Sequence, residues 1–226
     1  MTHAFMEQVA TLQLGSDPDD TAAVQLGSDP DDTAVQLGSD PDDSWGLTPT
    51  IGAMTHAFME QVATLQLGSD PDDQQLADVA RLMLAWAGSP GALPAELLAL
   101  PRATGQQELL YPLHVAPGAP ALYLVSDGPG VASPPHHHAT WAVIVGLSGN
   151  ERNALYERDS TCGTLHLQRT VEIQANDMIH LRADTIHATV ALDDQPTFHL
   201  HLYGKPLHEL PPYASRCHPL TLPALP

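Results

Sequence analysis

From Gln107 onward the sequence is a succession of short β-rich runs separated by turn-forming residues. There are eight such runs: LLYPLHV, ALYLVS, TWAVIVGL, NALYERD, TLHLQRTVEI, MIHLRA, HATVAL and FHLHLYG. Segments rich in glycine, proline, asparagine and aspartate lie between them, and no long helical pattern interrupts the series. Short strands at this spacing are typical of an all-β barrel or sandwich. We therefore predict a mainly β chain with a jelly-roll barrel over residues 107–205.

A helix is predicted ahead of the barrel, in SDPDDQQLADVARLMLAWAG. Asp70 is placed to cap its first turn, and Pro71 is placed at the first helical position. Apolar residues then follow at helical spacing: Leu76, Val79, Ala80, Met83 and Trp86. Gly88 ends this pattern, so the predicted helix covers residues 71–87 and packs outside the barrel.

Two further segments flank the barrel. Residues 54–106 are interpreted as an N-terminal helical segment that contains this helix, and residues 206–226 as a proline-rich C-terminal tail. Proline removes a backbone donor and interrupts helices and strands. We therefore expect the tail to wrap the surface of the barrel without regular structure.

The first residues of the chain contain an exact duplication. MTHAFMEQVATLQLGSDPDD occurs at residues 1–20 and again at 54–73, and QLGSDPDD occurs four times at uneven spacing. A structural repeat usually keeps its period while its sequence drifts, and here the reverse holds. We interpret residues 1–53 as a duplicated acidic extension, mobile or artefactual, with Met54 as the original start. Calcium binding by the DPDD clusters is the alternative, although the glycine and closing glutamate of a calcium loop are absent.

The charge and the cysteine content narrow the class of protein. A formal net charge of −19 argues against nucleic acid or an anionic membrane as a partner. No stretch approaches the length of a membrane span, and the first residues lack the pattern of a secretory signal. Cys162 and Cys217 are too few for a disulfide framework and are not spaced as in a zinc site. We expect a cytoplasmic protein that is a monomer or a homodimer.

Three consecutive histidines, in PPHHHATW, lead into an apolar strand. Alternation along a strand places His136 and His138 on one side and His137 on the other. A further histidine, His187 in DTIHATV, follows a turn at the head of another strand. A lone histidine is more often structural, but the inward faces of a small barrel converge. His136, His138 and His187 are therefore candidate ligands of one metal ion.

The last predicted strand, FHLHLYG, carries a second polar series. His199, His201 and Tyr203 share one face, while Phe198, Leu200 and Leu202 form the opposite, apolar face. The polar series surrounds the same centre if it faces the barrel interior, with the apolar face turned to a covering element. The alternative is ordinary alternation with the polar residues in solvent, and the pattern alone leaves both open.

These motifs resemble the cupin superfamily. Its first motif is a glycine, five residues, HxH, three or four residues, a glutamate, six residues and a glycine. Gly130, His136, His138, Ala142 and Gly149 keep that spacing here. The usual glutamate ligand is thus replaced by alanine.

The second cupin motif is matched only in its spacing. It ends at His187, but its usual glycine, proline and glycine are Asn176, Arg182 and Asp184 in this chain. The resemblance covers roughly residues 109–205.

A three-histidine cupin site without a carboxylate is similar to the thiol dioxygenases of the cysteine dioxygenase type. The chain also looks like bacterial cysteine-dioxygenase-like cupins that are described only as predicted metal-dependent enzymes. This resemblance implies a dioxygenase that holds Fe(II) on His136, His138 and His187 and oxidises a small thiol with O2 to a sulfinate. Zn, Ni or Mn are the alternatives to Fe(II) in purified protein. LHLYG is similar to the Ser-x-His-x-Tyr strand of that family, which implies catalytic roles for His201 and Tyr203.

The predicted substrate site departs from that family. Its carboxylate-binding arginine lies on an early strand after a tyrosine, whereas LLYPLHV has Tyr111 and no arginine. His114 is the nearest cation in this run, and His199 stands where the family has serine. With Trp141, these residues are the candidates for substrate binding. Two other functions remain open: different oxygen-dependent chemistry such as diketone cleavage, and a non-catalytic small-molecule-binding cupin.

Overall fold

A computed structural model describes residues 48–220, and its first elements are helices. They are α1 (Pro49–Thr64), α2 (Asp73–Gly88) and the single turn α3 (Ala95–Leu98). At the start of α1, the side chain of Thr48 accepts a hydrogen bond from the backbone N–H of Ile51, and Pro49 occupies the first helical position. Both are favourable at a helix start, where the first N–H groups lack partners within the helix.

Eight strands follow, one for each predicted run. They are β1 (Glu108–His114), β2 (Ala121–Asp127), β3 (Ala142–Ser148), β4 (Glu151–Arg158), β5 (Leu165–Ile173), β6 (Met178–Leu181), β7 (Ile186–Ala191) and β8 (Phe198–Tyr203). One sheet has the order β1-β2-β8-β3-β6, and the other has the order β5-β4-β7. All pairings between these strands are antiparallel.

The segment between β2 and β3 completes the smaller sheet. Ala132 forms a bridge with Val190 and His136 forms one with His187, so this segment lies along the free edge of β7. The resulting row of this segment with β7, β4 and β5 faces β2, β8, β3 and β6, which is the strand order of a jelly roll. The predicted mainly β jelly-roll barrel with helices packed outside is therefore confirmed.

The helices cover the outer face of the five-stranded sheet. Phe198, Leu200 and Leu202 of β8 share one buried cluster with Phe58 of α1 and Met83 of α2. Burial of this face removes a large apolar surface from water. The opposite face of β8 is thereby turned into the barrel interior, where it carries the polar side chains.

Helix α2 starts two residues later than predicted. The side chain of Asp72 accepts a hydrogen bond from the backbone N–H of Gln75, whose side chain in turn accepts one from the backbone N–H of Asp72. This reciprocal capping box sets the start of the helix. Asp70, the predicted cap, instead forms an ion pair with Arg182 at 2.9 Å.

The predicted boundary between residues 53 and 54 falls inside α1. This helix begins five residues before Met54, and the side chain of Ile51 is only 2% exposed. Residues 48–53 thus belong to the packed helical layer. The rest of the predicted acidic extension lies outside the described residues. No helix within residues 48–220 is long and apolar enough to cross a membrane.

The C-terminal tail differs from the prediction because it contains two short helical turns. They are a 3-10 turn at Leu207–Glu209 and α4 at Tyr213–Arg216. Pro206 and Pro212 immediately precede these turns, where a proline is tolerated because it need not donate a hydrogen bond. Leu207, Tyr213 and Arg216 are buried, so the tail packs against the barrel.

Candidate metal centre

Three histidines meet inside the barrel, as the sequence predicts. His136, His138 and His187 each offer a ring nitrogen, and these atoms lie within 4.8 Å of one another. All three side chains are buried, and Nε2 of His138 is 3.1 Å from Nε2 of His187. This spacing suits three ligands of one metal ion.

Backbone pairing holds two of these histidines together. His136 and His187 exchange both backbone hydrogen bonds, at 2.8 and 2.9 Å. The segment does not continue as a regular strand, yet His137 points the opposite way, as alternation predicts. Its Nδ1 lies 3.0 Å from the carbonyl oxygen of Arg216, outside the cluster.

Hydrogen bonds also set the tautomers of these two rings. Nδ1 of His136 lies 2.9 Å from the carbonyl oxygen of Pro134, which can only accept, so Nδ1 donates. Nδ1 of His187 donates to Oδ1 of Asn153 at 2.9 Å, because the amide nitrogen of Asn153 is used to donate to Glu151. With the proton on Nδ1, Nε2 of each ring keeps its lone pair for a metal ion.

Burial keeps the cluster uncharged. It lowers the pKa of His136 to about 4, and it lowers the pKa values of His138 and His187 well below the usual value. Neutral imidazoles are the form that binds metal, so these residues fit a divalent ion. Within residues 48–220, no carboxylate joins these three ligands, since Ala142 stands at the position of the glutamate in the motif that this sequence resembles.

A hydrogen-bonded pair lies beside the three histidines. Nδ1 of His201 is 2.9 Å from the hydroxyl of Tyr203. The ring of Tyr203 meets that of His138 edge to face, with centroids 5.2 Å apart. Burial raises the pKa of Tyr203 and lowers that of His201 to about 3. The pair is therefore neutral at pH 7, with the tyrosine hydroxyl protonated.

These residues line a cavity of about 110 Å³. The C-terminal tail contributes Leu207, Tyr213 and Arg216 to its wall. The side chain of Arg216 is only 3% exposed and donates from Nε to the carbonyl of Pro211 and from an Nη atom to the carbonyl of His137. Since a guanidinium has five N–H groups, donors remain for a ligand. This arginine stands in the tail, where no local pattern marks it, and the sequence prediction missed it.

Three predicted substrate-binding residues lie away from the cavity. Tyr111 and Trp141 are on the outer face of the five-stranded sheet, in the cluster that packs against the helices. The Tyr111 hydroxyl donates to the carbonyl of Pro101, and the ring of His114 lies beside that of His56 in α1. Alternation places Tyr111 and Trp141 on the side of the sheet opposite to the histidine cluster, and the register shift between Pro112 and His114 leaves His114 beside α1. The structure therefore does not bring these three residues to the cavity.

The fourth predicted substrate-binding residue, His199, lies inside the barrel with two acidic residues. His199, Asp127 and Glu151 offer ligand atoms within 4.8 Å of one another, and all three are buried. Asn153 connects this group to the three histidines, since it donates to Oε1 of Glu151 at 2.8 Å and accepts from His187. The alternation of Glu151 and Asn153 along β4 is the sequence signal that places both side chains inward.

Comparison with known proteins gave structural similarities only. No protein-family model and no curated protein matches the chain. A cupin superfamily protein from Desulfitobacterium hafniense is 18% identical over 50% of this chain and 90% of its own, with a TM-score of 0.39. An oxalate oxidase solved with the substrate analogue glycolate is 16% identical over 53% of this chain and 62% of its own, with a TM-score of 0.40. An uncharacterised double-stranded β-helix protein from Klebsiella pneumoniae is 12% identical over 46% of this chain and 81% of its own, with a TM-score of 0.34.

Proposed function

We propose that this protein is a mononuclear non-haem Fe(II) dioxygenase that oxidises a small thiol to a sulfinate. The observation that supports it most is the set of three buried, neutral imidazoles without a carboxylate, beside the hydrogen-bonded pair of His201 and Tyr203. The resemblance of these motifs to the cysteine dioxygenase type of cupin points to the same chemistry.

His136, His138 and His187 would hold the metal. An Fe(II) ion, when bound, supplies the coordination positions at which a thiolate and O2 are brought together. Three neutral ligands leave the full positive charge of the ion in place, which favours an anionic thiolate over a neutral ligand. Asn153 holds the ring of His187 in its ligating orientation.

Tyr203 and His201 have a positioning and proton-holding role in this proposal. The Tyr203 hydroxyl keeps its proton at neutral pH because burial raises its pKa. It can therefore donate a hydrogen bond to negative charge that develops on oxygen near His138. His201 holds that hydroxyl at 2.9 Å and is itself neutral, so it adds no competing charge.

Arg216 defines the class of thiol in this proposal. It is a buried guanidinium at the wall of a cavity of about 110 Å³ and lies on the same wall as Tyr213. Charge-assisted hydrogen bonds from such a group favour a carboxylate. The proposed substrate is therefore a small thiol that carries a carboxylate. In the overall reaction RSH and O2 give RSO2H, so both oxygen atoms enter the sulfinate, sulfur is oxidised by four electrons and O2 is reduced by four.

Oxygen uptake by the Fe(II)-loaded protein tests this function. The panel is 3-mercaptopropionate, cysteine and cysteamine, with a β-diketone as the non-thiol substrate. We expect one O2 consumed per thiol, sulfinate as product, and a preference for the two carboxylate-bearing thiols. His187→Ala should abolish uptake, whereas His166→Gln, on the exposed side of β5, should not change it.

Three other outcomes would count against the proposal. Uptake with the diketone alone would indicate different oxygen chemistry at the same centre. Iron-loaded protein with no uptake on any substrate would favour a binding role. A preference for cysteamine over both acids would refute the assigned role of Arg216 while leaving the thiol chemistry intact.

A further inference from the structure

We propose that Asp127, Glu151 and His199 form a second divalent-cation site, separate from the three-histidine centre. The proposal goes beyond the dioxygenase function and does not depend on it. Asp127 ends β2, Glu151 begins β4, and His199 is the second residue of β8. Strands from both sheets therefore bring one ligand atom each to within 4.8 Å of the others.

The side chain of His199 provides the strongest argument. It is 0% exposed, and neither of its ring nitrogens has a hydrogen-bond partner within the described part of the chain. Its Nδ1 lies 3.7 Å from Oε2 of Glu151, which is too long for a hydrogen bond. Buried polar groups are almost always partnered. A cation between Nδ1 of His199 and Oε2 of Glu151 would partner both of these atoms.

The remaining oxygen atoms of the two acids are oriented by neighbours. Oε1 of Glu151 accepts a hydrogen bond from Asn153 at 2.8 Å, which leaves Oε2 as the oxygen that faces His199. Oδ2 of Asp127 lies 3.4 Å from the hydroxyl of Thr197, which leaves Oδ1 for a further contact. The two carboxyl groups also hydrogen-bond each other, so an ion bound here would replace the proton that they share.

The lack of a paired cation for the two acids among the described residues also favours a metal ion at this position. Among residues 48–220, no lysine or arginine forms an ion pair with Asp127 or Glu151. Two buried carboxylates without a cation are costly in a medium of low dielectric, and one divalent ion would neutralise both. Two carboxylate oxygens and one imidazole nitrogen suit Mn²⁺, Fe²⁺ or Zn²⁺. A proton shared between the two acids is the competing arrangement, but it leaves Nδ1 of His199, the nitrogen that faces Glu151, without the partner that a cation would provide.

Metal stoichiometry distinguishes the two arrangements. Metal-free full-length protein is dialysed to equilibrium against Mn²⁺, and separately against Zn²⁺, and the bound metal is measured by mass spectrometry. We expect two equivalents of at least one ion in the unaltered protein. Asp127→Asn combined with Glu151→Gln should reduce this to one, and the control His166→Gln should keep two.

A complementary variant keeps the test independent of whether the acid variant folds. His136→Ala combined with His138→Ala removes the three-histidine centre and leaves the second site intact, so it should still hold one equivalent. If this variant holds none while its circular dichroism matches that of the unaltered protein, the second site is refuted. A single equivalent of metal in the unaltered protein that is retained in the Asp127→Asn, Glu151→Gln variant would also refute the second site. That result would be consistent with metal bound at the three histidines alone.

Discussion

Ala142 of β3 lies directly opposite Tyr203 of β8, and both side chains belong to the cluster inside the barrel. A methyl group thus faces the tyrosine ring at the position that the glutamate ligand occupies in the cupin motif that this sequence resembles. The ring of Tyr203 in turn contacts the ring of His138, with centroids 5.2 Å apart. A side chain without a ligand atom thus lies opposite the tyrosine that contacts one of the three histidines.

Removal of the Tyr203 hydroxyl should separate metal binding from turnover. We expect Tyr203→Phe to keep one equivalent of iron at the three histidines and to lose roughly 10–100-fold in kcat, as is common when a group that orients a metal site is lost. Tyr156→Phe is the matched control, because its buried hydroxyl has no partner within the described residues and lies outside the cavity. Unchanged kcat in Tyr203→Phe would refute the role of the hydroxyl.

Arg216 should control affinity for acidic thiols. We expect Arg216→Gln to raise KM for 3-mercaptopropionate by roughly 10–100-fold, since hydrogen bonds to charged groups contribute about 1.5–3 kcal/mol. KM for cysteamine, which has no carboxylate, should change little. Arg182→Gln, a surface ion-pair partner of Asp70, is the control. An equal rise for both thiols would mean that the substitution only loosens the tail.

Asn153 should set the affinity of the centre for its metal. It holds Nδ1 of His187 at 2.9 Å, and loss of such a partner commonly costs ~10–100-fold in metal affinity. We expect the Asn153→Ala variant to lose its metal to a chelator at a lower chelator concentration than the unaltered protein does. Gln168→Ala, at an exposed position of β5, should release it like the unaltered protein. If Asn153→Ala and Gln168→Ala bind the metal with equal affinity, Asn153 does not stabilise the metal centre through His187.

Burial of the histidines should make the metal-free protein sensitive to acid. The pKa is lowered by burial to about 4 in His136 and His199 and to about 3 in His201, and it is also lowered in His138 and His187. Between pH 6.5 and about 4, the unfolded chain binds protons that these folded histidines do not bind. Their contribution to stability is present above pH 6.5 and is lost as the pH falls.

Two carboxyls act in the opposite direction. Burial raises the pKa values of Asp127 and Glu151 to about 7, so their contribution to stability is present below about pH 4 and is lost as the pH rises to 7. Because five histidines oppose two carboxyls, we expect the Tm of metal-free protein to fall by ~5 °C or more from pH 6.5 to 4.5. Differential scanning calorimetry measures this. A constant or rising Tm over that range would contradict the burial of these neutral rings.

The start of α1 should matter for stability. A chain that begins at Met54 lacks the Thr48 cap and the buried side chain of Ile51. Loss of a buried isoleucine and a cap costs roughly 2–5 kcal/mol, so we expect a clearly lower free energy of unfolding for this chain in urea. A chain that begins at Thr48 is the control. Equal stability of the two chains would show that residues 48–53 add nothing to the fold.

The strands and the three histidines could be predicted because their signals are local. Each strand is a β-rich run between turn residues, and the HxH pair shows its inward side by alternation. Local patterns of this kind could not predict which residues line the cavity. Tyr111 and Trp141 have the composition expected of a pocket, but their sheet buries its outer face under helices, and only the packed helices show which face is outer.

Arg216 and the group around His199 illustrate the same limit over longer distances. Arg216 follows all eight strands and reaches the site only because the tail folds back on the barrel. Asp127 and Glu151 lie in different sheets and meet only where the two sheets pack across the barrel interior, and no spacing in the sequence relates them. For such residues the proximity is a property of the closed barrel and not of any one segment.

The return of the tail to the cavity also has a consequence for biosynthesis. A chain is made from its N-terminus, so His136 and His138 leave the ribosome first, His187 follows about fifty residues later, and Arg216 comes after every strand. The three proposed metal ligands can therefore come together before Arg216, the cation proposed to bind the substrate carboxylate, has been synthesised. Under the proposed function, metal binding would therefore become possible before substrate selectivity during synthesis, and a chain that ends after β8 would keep the metal ligands without Arg216.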